Sequence, residues 1–160
     1  MADSGPIELP AWGIGFFLST LGFHSHAVWA ERLAPLGLDS RQASILLNVA
    51  AAEGQPQQAF ANALQIPPSR VVALVDELER RRLIRRRINP ADRRVRTLHL
   101  TSTGKTMVGK LVELEAAHEA GLCVGLEPVE RERLIKLLRK TARGLGLSGT
   151  VHSGLDADDW

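Results

Sequence analysis

The stretch that decides the fold is residues 85–101, which read RRRINPADRRVRTLHLT. Three arginines lead into Asn89-Pro90-Ala91-Asp92, a run of residue types that favours a tight turn. Beyond the turn, residues 95, 97 and 99 form one set of side chains, which alternates with a second set at residues 96, 98 and 100. This period of two is typical of a strand. The stretch therefore predicts a β-hairpin whose tip carries a high density of positive charge.

The positive charge of the chain is concentrated around this hairpin. Residues 70–96 contain ten arginines and four acidic residues, a net charge of +6, whereas the whole 160-residue chain carries +2. Charge confined to about one sixth of a sequence is an electrostatic footprint. All ten cations are arginine, whose planar fork suits phosphates and guanine edges. The pattern indicates a polyanionic partner, and double-stranded DNA fits it best.

Acidic residues nearby explain part of this charge in a simpler way. Asp76, Glu77 and Glu79 stand at helical spacings from Arg80–Arg82, so these cations can be paired on the surface of one helix. The hairpin arginines have only Asp92 nearby in the sequence. Their charge therefore still requires an external partner.

Two short helices directly before the hairpin complete the unit. Pro56 begins a short helix, residues 65–68 form a turn, and Pro68 suits the first position of a helix that reaches about Arg82. A short helix, a tight turn, a second helix and a basic hairpin are the layout of a winged helix-turn-helix. We therefore predict a DNA-binding lobe over residues 37–101, with the second helix as its recognition helix.

Long apolar helices at both ends of the chain predict a dimerisation region. The first, over residues 10–36, contains five of the seven aromatic residues and is apolar on more than one side. A terminal helix of a chain this short has too little neighbouring mass to cover two faces. We predict that residues 10–36 and 102–146 form a helical dimerisation region of a homodimer, and that residues 147–160 are a flexible tail.

Capping residues mark the helix boundaries. Asp39, with Gln42 three residues on, forms a capping-box pattern for a helix that Gly54 is expected to end. Thr101 is the expected N-cap of the helix after the hairpin. The predicted fold is thus mainly α with a small β-hairpin wing.

Composition excludes several classes of protein. With 44% hydrophobic residues the chain can bury one core, and no run reaches the ~18 to 20 apolar residues of a membrane span. The N-terminus lacks a basic signal-peptide start, and Cys123 is the only cysteine, so no intramolecular disulfide can form. No catalytic triad, carboxylate pair or glycine-rich phosphate loop is present. We predict a cytoplasmic protein with no membrane span, no cofactor and no enzymatic activity.

Four motifs follow one another along the chain: Gly37-Leu38-Asp39-x-x-Gln42, Leu74-Val75-Asp76-x-Leu78-Glu79, Asn89-Pro90-x-Asp92-Arg93-Arg94 and Leu100-Thr101-x-x-Gly104. In order and spacing, the chain resembles the multiple antibiotic resistance regulator (MarR) family over residues 14–143. The resemblance implies an obligate homodimer whose two recognition helices enter successive major grooves. It also implies a wing arginine in each flanking minor groove and, as in many relatives, release of DNA when a small molecule binds.

The chain departs from the family pattern at three places. Arg82 replaces the glycine that usually precedes the wing, which predicts a different ending for the recognition helix. Val72 and Ala73 stand where the family often has serine and arginine, so the family does not indicate the target sequence; both side chains can touch thymine methyl groups. Phe60-Ala61 replaces the usual Leu-Ala pair and keeps its core role.

The predicted DNA-binding residues lie on the recognition helix and the wing. They are Ser69, Arg70, Val72, Ala73, Arg85, Arg86, Arg87, Arg93, Arg94 and Arg96. Arg94 is predicted to enter the minor groove, with Arg93 or Arg96 on phosphates. Asp92 is predicted to brace the wing by bonding an arginine, a role that the resemblance supports.

Some residues have both a functional and a structural interpretation. Ser69 either contacts a base edge or is only the N-cap of its helix, whereas Arg70 has no acidic residue one turn before it and is predicted to contact DNA. Trp12, Phe16 and Phe23 either line a pocket for a small aromatic effector or belong to the dimer core.

These observations predict a sequence-specific, DNA-binding transcriptional regulator, a repressor that binds a near-palindromic operator as a homodimer and is released by a small molecule. The alternative is a small-molecule or zinc sensor in which effector binding dominates and DNA binding is secondary. No metal site is predicted from His24 and His26, because residues two apart point about 200° apart on a helix. A zinc site would have to be assembled across several helices.

Overall fold

The computed structural model describes residues 12–64 and 66–147 of the chain. Its elements are α1 (Ile14–Leu33), a 3-10 turn (Ala34–Leu36), α2 (Ser40–Ala51), α3 (Gln57–Leu64), α4 (Pro68–Arg80), β1 (Ile84–Ile88), β2 (Arg96–Leu100), α5 (Ser102–Leu122) and α6 (Pro128–Gly144). The predicted, mainly helical fold with a β-hairpin is therefore confirmed. Apart from Leu147, the predicted tail lies outside the described residues. No described helix has the length and apolarity that a membrane crossing needs.

The core lies where the hairpin-bearing lobe meets the long helices α1 and α5. Its fully enclosed side chains come from six elements: Leu33, Ile45, Leu46, Val49, Val71, Val75, Leu78, Ile84, Leu98 and Leu111. Helix α4 contributes Val71, Val75 and Leu78, which lie at helical spacing. Because this inner face is anchored in the core, the opposite face of α4 is held outward in a fixed orientation.

The predicted capping box of α2 is confirmed. The Asp39 carboxylate accepts hydrogen bonds from the backbone N–H groups of Arg41 and Gln42, both at 2.8 Å, and Gln42 Oε1 accepts from the Asp39 N–H at 3.2 Å. The prediction that Gly54 ends this helix was wrong, since α2 ends at Ala51. Gly54 instead has a φ of +89° and donates its N–H to the Leu98 carbonyl at 2.9 Å, because the chain here begins to pair with β2.

Helix α4 ends through a left-handed residue. The Leu83 N–H binds the Leu78 carbonyl at 2.9 Å and the Arg82 N–H binds the Glu79 carbonyl at 2.8 Å, the pair of bonds that defines a Schellman motif. Arg82 has a φ of +58°, the conformation that glycine usually supplies, so the expectation of a different ending was wrong. Burial of Leu78 and Leu83 and the two hydrogen bonds offset a left-handed cost of about 1 to 2 kcal/mol.

The hairpin follows at once. Strands β1 and β2 are antiparallel, from the pair Ile84–Leu100 to the pair Ile88–Arg96, and an isolated bridge joins Pro56 to Thr97 on the other edge of β2. After β2 the predicted cap is confirmed, because Thr101 Oγ1 accepts the Gly104 N–H at 2.9 Å. The hairpin is thus held between the end of α4 and the start of α5.

Gly104 is the residue most sensitive to added volume in this region. A Cβ at Gly104 would overlap the backbone carbonyl of Leu83, whereas a Cβ at Gly109 on the same helix would meet nothing. We expect Gly104→Ala to lower the free energy of unfolding by about 1 to 3 kcal/mol, because the backbone of Leu83 cannot move without disturbing the connection between the end of α4 and the start of β1. Urea unfolding with Gly109→Ala as control, expected to stabilise the helix by up to about 1 kcal/mol, measures this. Equal effects of the two substitutions would contradict the packing described here.

Candidate nucleic-acid interface

The outward face of α4 carries all four residues predicted for it. Ser69, Arg70, Val72 and Ala73 are exposed, while the inner face of the helix is buried. The alternative that Ser69 is only an N-cap was wrong, since the helix begins at Pro68 and its N-cap is Pro67, with no side-chain cap bond. The first turn of α4 therefore presents a hydroxyl, a guanidinium and small apolar groups to the outside.

The wing presents a second group of cations beside α4. Its exposed arginines are Arg85, Arg87, Arg93, Arg94 and Arg96. Along β1, alternation places the side chains of residues 85 and 87 on one face and that of residue 86 on the other. The Arg94 side chain at the tip is 92% exposed, so its guanidinium is free to reach a partner that approaches the wing.

The tip of the wing is shaped by two short polar side chains. Asn89 Oδ1 accepts the Ala91 N–H at 3.0 Å, and Asp92 Oδ1 accepts the Arg94 N–H at 3.0 Å and its Nε at 3.4 Å. An exposed ion pair of this kind stabilises little, so the backbone hydrogen bonds matter more for the turn. The geometry suits the bracing role of Asp92, which stays a prediction.

Arg86 does not join the exposed arginines, contrary to its predicted place among the DNA contacts. Its guanidinium binds Asp76 Oδ1 and Glu79 Oε2, both at 2.6 Å, and its Nε donates to Gln57 Oε1 at 3.0 Å. The side chain is only 20% exposed. The reason is that β1 turns residue 86 towards α4, where two acidic side chains take up its charge.

Arg81 also has an internal partner that the sequence did not suggest. Its guanidinium donates to the carbonyls of Gly37 at 2.6 Å and Leu36 at 3.0 Å, in the connection between α1 and α2. The partners predicted for the run that contains Arg81 were instead Asp76, Glu77 and Glu79. Backbone carbonyls more than forty positions away leave no signal in a sequence.

A cavity of about 300 Å³ lies between α1, α2 and α5. Its lining includes Ser25, Trp29, Ser44, Glu115 and His118. None of Trp12, Phe16 and Phe23, the residues predicted for an effector pocket, lines this cavity. Trp12 stacks on Phe16 with ring centroids 4.2 Å apart, and Phe23 is 81% exposed, so the three lie on the open side of α1.

His118 is the chemically distinctive residue of this cavity. Its Nε2 lies 3.0 Å from Ser25 Oγ, and its ring centroid lies 5.5 Å from that of Trp29. Burial, and then the positive charge of Arg32, lower the pKa of His118 below its usual value. His118 Nδ1 and Arg32 Nε are both buried and have no hydrogen-bond partner within residues 12–64 and 66–147.

Cys123 is a buried thiol at the end of α5. Its Sγ lies 3.6 Å from Glu119 Oε1. Burial and the neighbouring carboxylate raise its pKa, which disfavours the reactive thiolate. Over the part of the chain that the structure describes, no group of three His, Cys, Asp or Glu side chains could hold a metal ion.

Comparison with known proteins places this geometry in a family. The MarR family profile matches residues 36–95. The chain is 32% identical over 90 residues to the putative transcriptional regulatory protein for the hcr operon of Thauera aromatica, covering 56% of this chain and 54% of that protein. It thus spans about half the length of the first curated relatives that it matches.

Solved structures match over most of their length. The transcriptional repressor CouR bound to a 23-mer DNA duplex is 32% identical, with a TM-score of 0.74 over 81% of this chain and 92% of that one. CouR from Rhodococcus jostii RHA1 bound to p-coumaroyl-CoA is 30% identical, with a TM-score of 0.71 over 82% and 90%. With the family profile on the winged lobe and this likeness across the whole fold, the chain belongs to the MarR family of transcriptional regulators, which are not enzymes.

Proposed function

We propose that this regulator is a repressor that binds a near-palindromic operator as a homodimer in the cytoplasm, where chromosomal DNA is found. The observation that carries the proposal is the arrangement of free cations. Within residues 12–64 and 66–147, no acidic side chain pairs with Arg70 on α4 or with the exposed wing arginines, apart from the Arg94–Asp92 contact, while Arg86 is neutralised internally. In this arrangement α4 enters the major groove and the wing reaches the flanking minor groove.

The DNA-bound relative supports this geometry. CouR, a transcriptional repressor at 32% identity, has been solved on a DNA duplex. In a two-fold symmetric dimer the two α4 helices would meet half-sites about one helical turn apart. Exposed Ser69, Arg70, Val72 and Ala73 are the side chains that would face base edges, and the wing arginines would mostly meet phosphates.

Affinity measured at several salt concentrations tests the DNA proposal. The affinities of the wild type, Arg94→Ala and Arg70→Ala are compared on two duplexes, an operator selected from random DNA and a scrambled sequence. Arg94→Ala should weaken binding to both duplexes, most of all where A·T flanks narrow the minor groove. Arg70→Ala should cost on the order of 1 to 3 kcal/mol per half-site on the operator and little on scrambled DNA, because it removes a base contact.

Arg133→Ala is the matched control, since it removes one exposed cation from α6, away from α4 and the wing. The logarithm of the wild-type binding constant should fall with the logarithm of salt concentration by ~0.9 per phosphate contact, for roughly 6 to 10 contacts per dimer. Wild-type affinity that does not respond to salt, or an equal loss in all three variants, would rule out the proposed interface.

The dimer is inferred from the apolar faces of α1 and α6. Helix α6 has 17 residues and none of them is buried, although Leu134 and Leu138, together with Leu145 just after the helix, form an apolar stripe on one side. On α1, Ile14 is 78% and Leu21 58% exposed. Helices in proteins are stable mainly because they pack an apolar face. A second copy of the chain supplies that cover, which assigns residues 10–36 and 102–146 to dimerisation and 37–101 to DNA binding.

A charge placed on this stripe should break the dimer. Leu138→Asp buries a carboxylate with no partner, so we expect loss of the dimer and of cooperative unfolding at micromolar concentration. Lys136→Asp is the control, because it lies about 160° around the helix from Leu138. Light scattering after size exclusion should give twice the 17.5 kDa of one chain for the wild type and the control. A wild type that is monomeric and melts cooperatively would contradict the assignment.

We infer a second property, release of DNA by an anionic small molecule bound in the α1–α2–α5 cavity. The cavity has the size of a small ligand site, and its lining residue His118 has a buried Nδ1 atom without a hydrogen-bond partner in the described part of the chain. CouR at 30% identity binds p-coumaroyl-CoA, an aromatic acyl thioester. The cavity lies between α2 of the DNA-binding lobe and α1 and α5 of the dimerisation region. A ligand that fills it can therefore change the angle between the DNA-binding lobe and the dimerisation region. No observation within the described residues favours zinc as the effector.

The pH dependence of ligand binding tests this site. Burial and then the charge of Arg32 lower the pKa of His118, Glu119 and Glu115 raise it, and the neighbouring His24 adds the smallest lowering contribution. A bound anion favours the imidazolium, so binding takes up a proton and should tighten as pH falls from 8 towards 6. Thermal shift and DNA release by p-coumaroyl-CoA and p-coumarate should show this trend in the wild type, and it should be absent in His118→Leu. Lys105→Met, at the far end of α5, is the control. A pH-independent wild type would refute anion binding at His118.

A further inference from the structure

We propose that Arg86 is a positioning residue, which holds the wing at a fixed angle to the recognition helix and makes no contact with DNA itself. The proposal rests on the DNA-binding function proposed above. It assigns a distinct role to one arginine among three consecutive ones. Arg85 and Arg87 face outward for the anion, and Arg86 faces inward and fixes the elements that carry them.

The contacts of Arg86 join three elements. Its guanidinium reaches Asp76 and Glu79 of α4, both at 2.6 Å, and Gln57 at the start of α3 at 3.0 Å. Its backbone N–H also donates to Glu79 Oε1 at 2.9 Å. The side chain and main chain of one β1 residue are therefore both bound to α4, and Arg86 links α3, α4 and the wing through its own contacts.

The surroundings of Arg86 prevent it from reaching outward. Its β-ladder partner is Leu98, which is fully buried, and two residues before it on the same face is Ile84, which is 1% exposed. The guanidinium is bound on three sides by oxygen atoms with which it forms charge-assisted hydrogen bonds. A phosphate could take this arginine only by displacing two carboxylates that are already in contact with it.

Two consequences follow for DNA binding. A specific complex needs α4 and the wing to enter their grooves at the same time. A wing with a variable angle would bind the operator less tightly, because binding would then have to fix that angle. Without Arg86, Asp76 and Glu79 would also leave two uncompensated negative charges on the recognition helix, where Asp76 is 60% exposed. The arginine therefore fixes the geometry of the interface and removes charges that would repel phosphates.

Substitutions on the two sides of this ion pair separate the positioning role from a direct contact. Arg86→Met removes the cation, and the double variant Asp76→Asn/Glu79→Gln removes its partners. If the acids served only as surface charge, their removal would strengthen binding to any duplex, because the surface becomes more positive. The positioning role predicts the opposite on the operator. Both variants should lose at least about tenfold in operator affinity, equivalent to about 1.4 kcal/mol.

The matched control is Arg85→Met, which removes the neighbouring arginine on the exposed face of the same strand. It should weaken binding to operator and scrambled duplexes alike and reduce the salt slope by ~0.9 per subunit. Arg86→Met should instead cost clearly less affinity on the scrambled duplex than on the operator, because the two uncovered acids repel any phosphate but a variable wing angle harms only specific binding. Arg86→Lys, which keeps the charge and loses the planar fork, should recover only part of the operator affinity.

Each other outcome overturns the proposal in a defined way. Equal losses on both duplexes with a reduced salt slope would make Arg86 a phosphate contact. Tighter operator binding by Asp76→Asn/Glu79→Gln would show that the acids only repel DNA. A lowered melting temperature with unchanged affinity of the folded protein would make the ion pair merely structural.

Amide hydrogen exchange of the wing provides a readout that does not depend on DNA. Arg86→Met and the double variant should both exchange faster than the wild type at residues 84–88 and 96–100, whereas Arg85→Met should not. Unchanged exchange would refute the link between wing and α4. If the wild type binds the operator and the scrambled duplex equally, the proposed sequence-specific DNA binding is overturned. The link between the wing and α4 is then tested by hydrogen exchange alone.

Discussion

The corner at Leu83 is the point on which the arrangement of recognition helix, wing and long helices depends. Its N–H closes α4 on the Leu78 carbonyl, and its own carbonyl accepts the Thr101 N–H at 3.1 Å, where β2 passes into α5. Gly104 packs directly on the same carbonyl because it has no side chain. One residue, Leu83, thus joins the end of α4, the start of β1 and the start of α5 through its backbone N–H and C=O groups, and the left-handed Arg82 makes the reversal possible.

The arginines near this corner have two different roles, since some are bound internally and others are exposed. The count of +6 over residues 70–96 suggests a uniformly cationic surface, but the geometry divides the arginines. Arg81 binds the connection between α1 and α2, and Arg86 binds the acids of α4. Those on the outer faces of α4 and the wing stay available to an external anion. Internal ion pairs and hydrogen bonds of these two arginines therefore build the scaffold, and the exposed arginines make its outer surface positively charged.

Local rules explain what the sequence could predict. The turn at residues 89–92, the capping box at Asp39 and the cap at Thr101 depend on neighbours within a few positions, and all were found where the pattern placed them. The outward face of α4 followed from helical periodicity in the same way. These features are encoded by residue type and spacing alone.

Non-local contacts explain what the sequence could not predict. Arg86 and its partners on α4 are separated by a turn whose direction depends on the left-handed Arg82, and Arg81 binds carbonyls that any residue would provide. The cavity around His118 arises where three helices meet, and its residues are scattered from Gly22 to Leu122. The aromatic residues predicted for an effector pocket, Trp12, Phe16 and Phe23, are exposed, and an apolar stripe looks the same in a sequence whether a ligand or a second subunit covers it.

In the proposed dimer, two copies of this corner present α4 and the wing to one face of a DNA duplex. Hydroxyl-radical footprinting of the wild-type protein on an operator selected from random DNA tests this arrangement most directly. We expect protection symmetric about a dyad, with two half-sites about 10 base pairs apart and additional protection in the minor groove on each outer side. A single protected half-site, or protection without two-fold symmetry and without the outer minor-groove contacts, would contradict it.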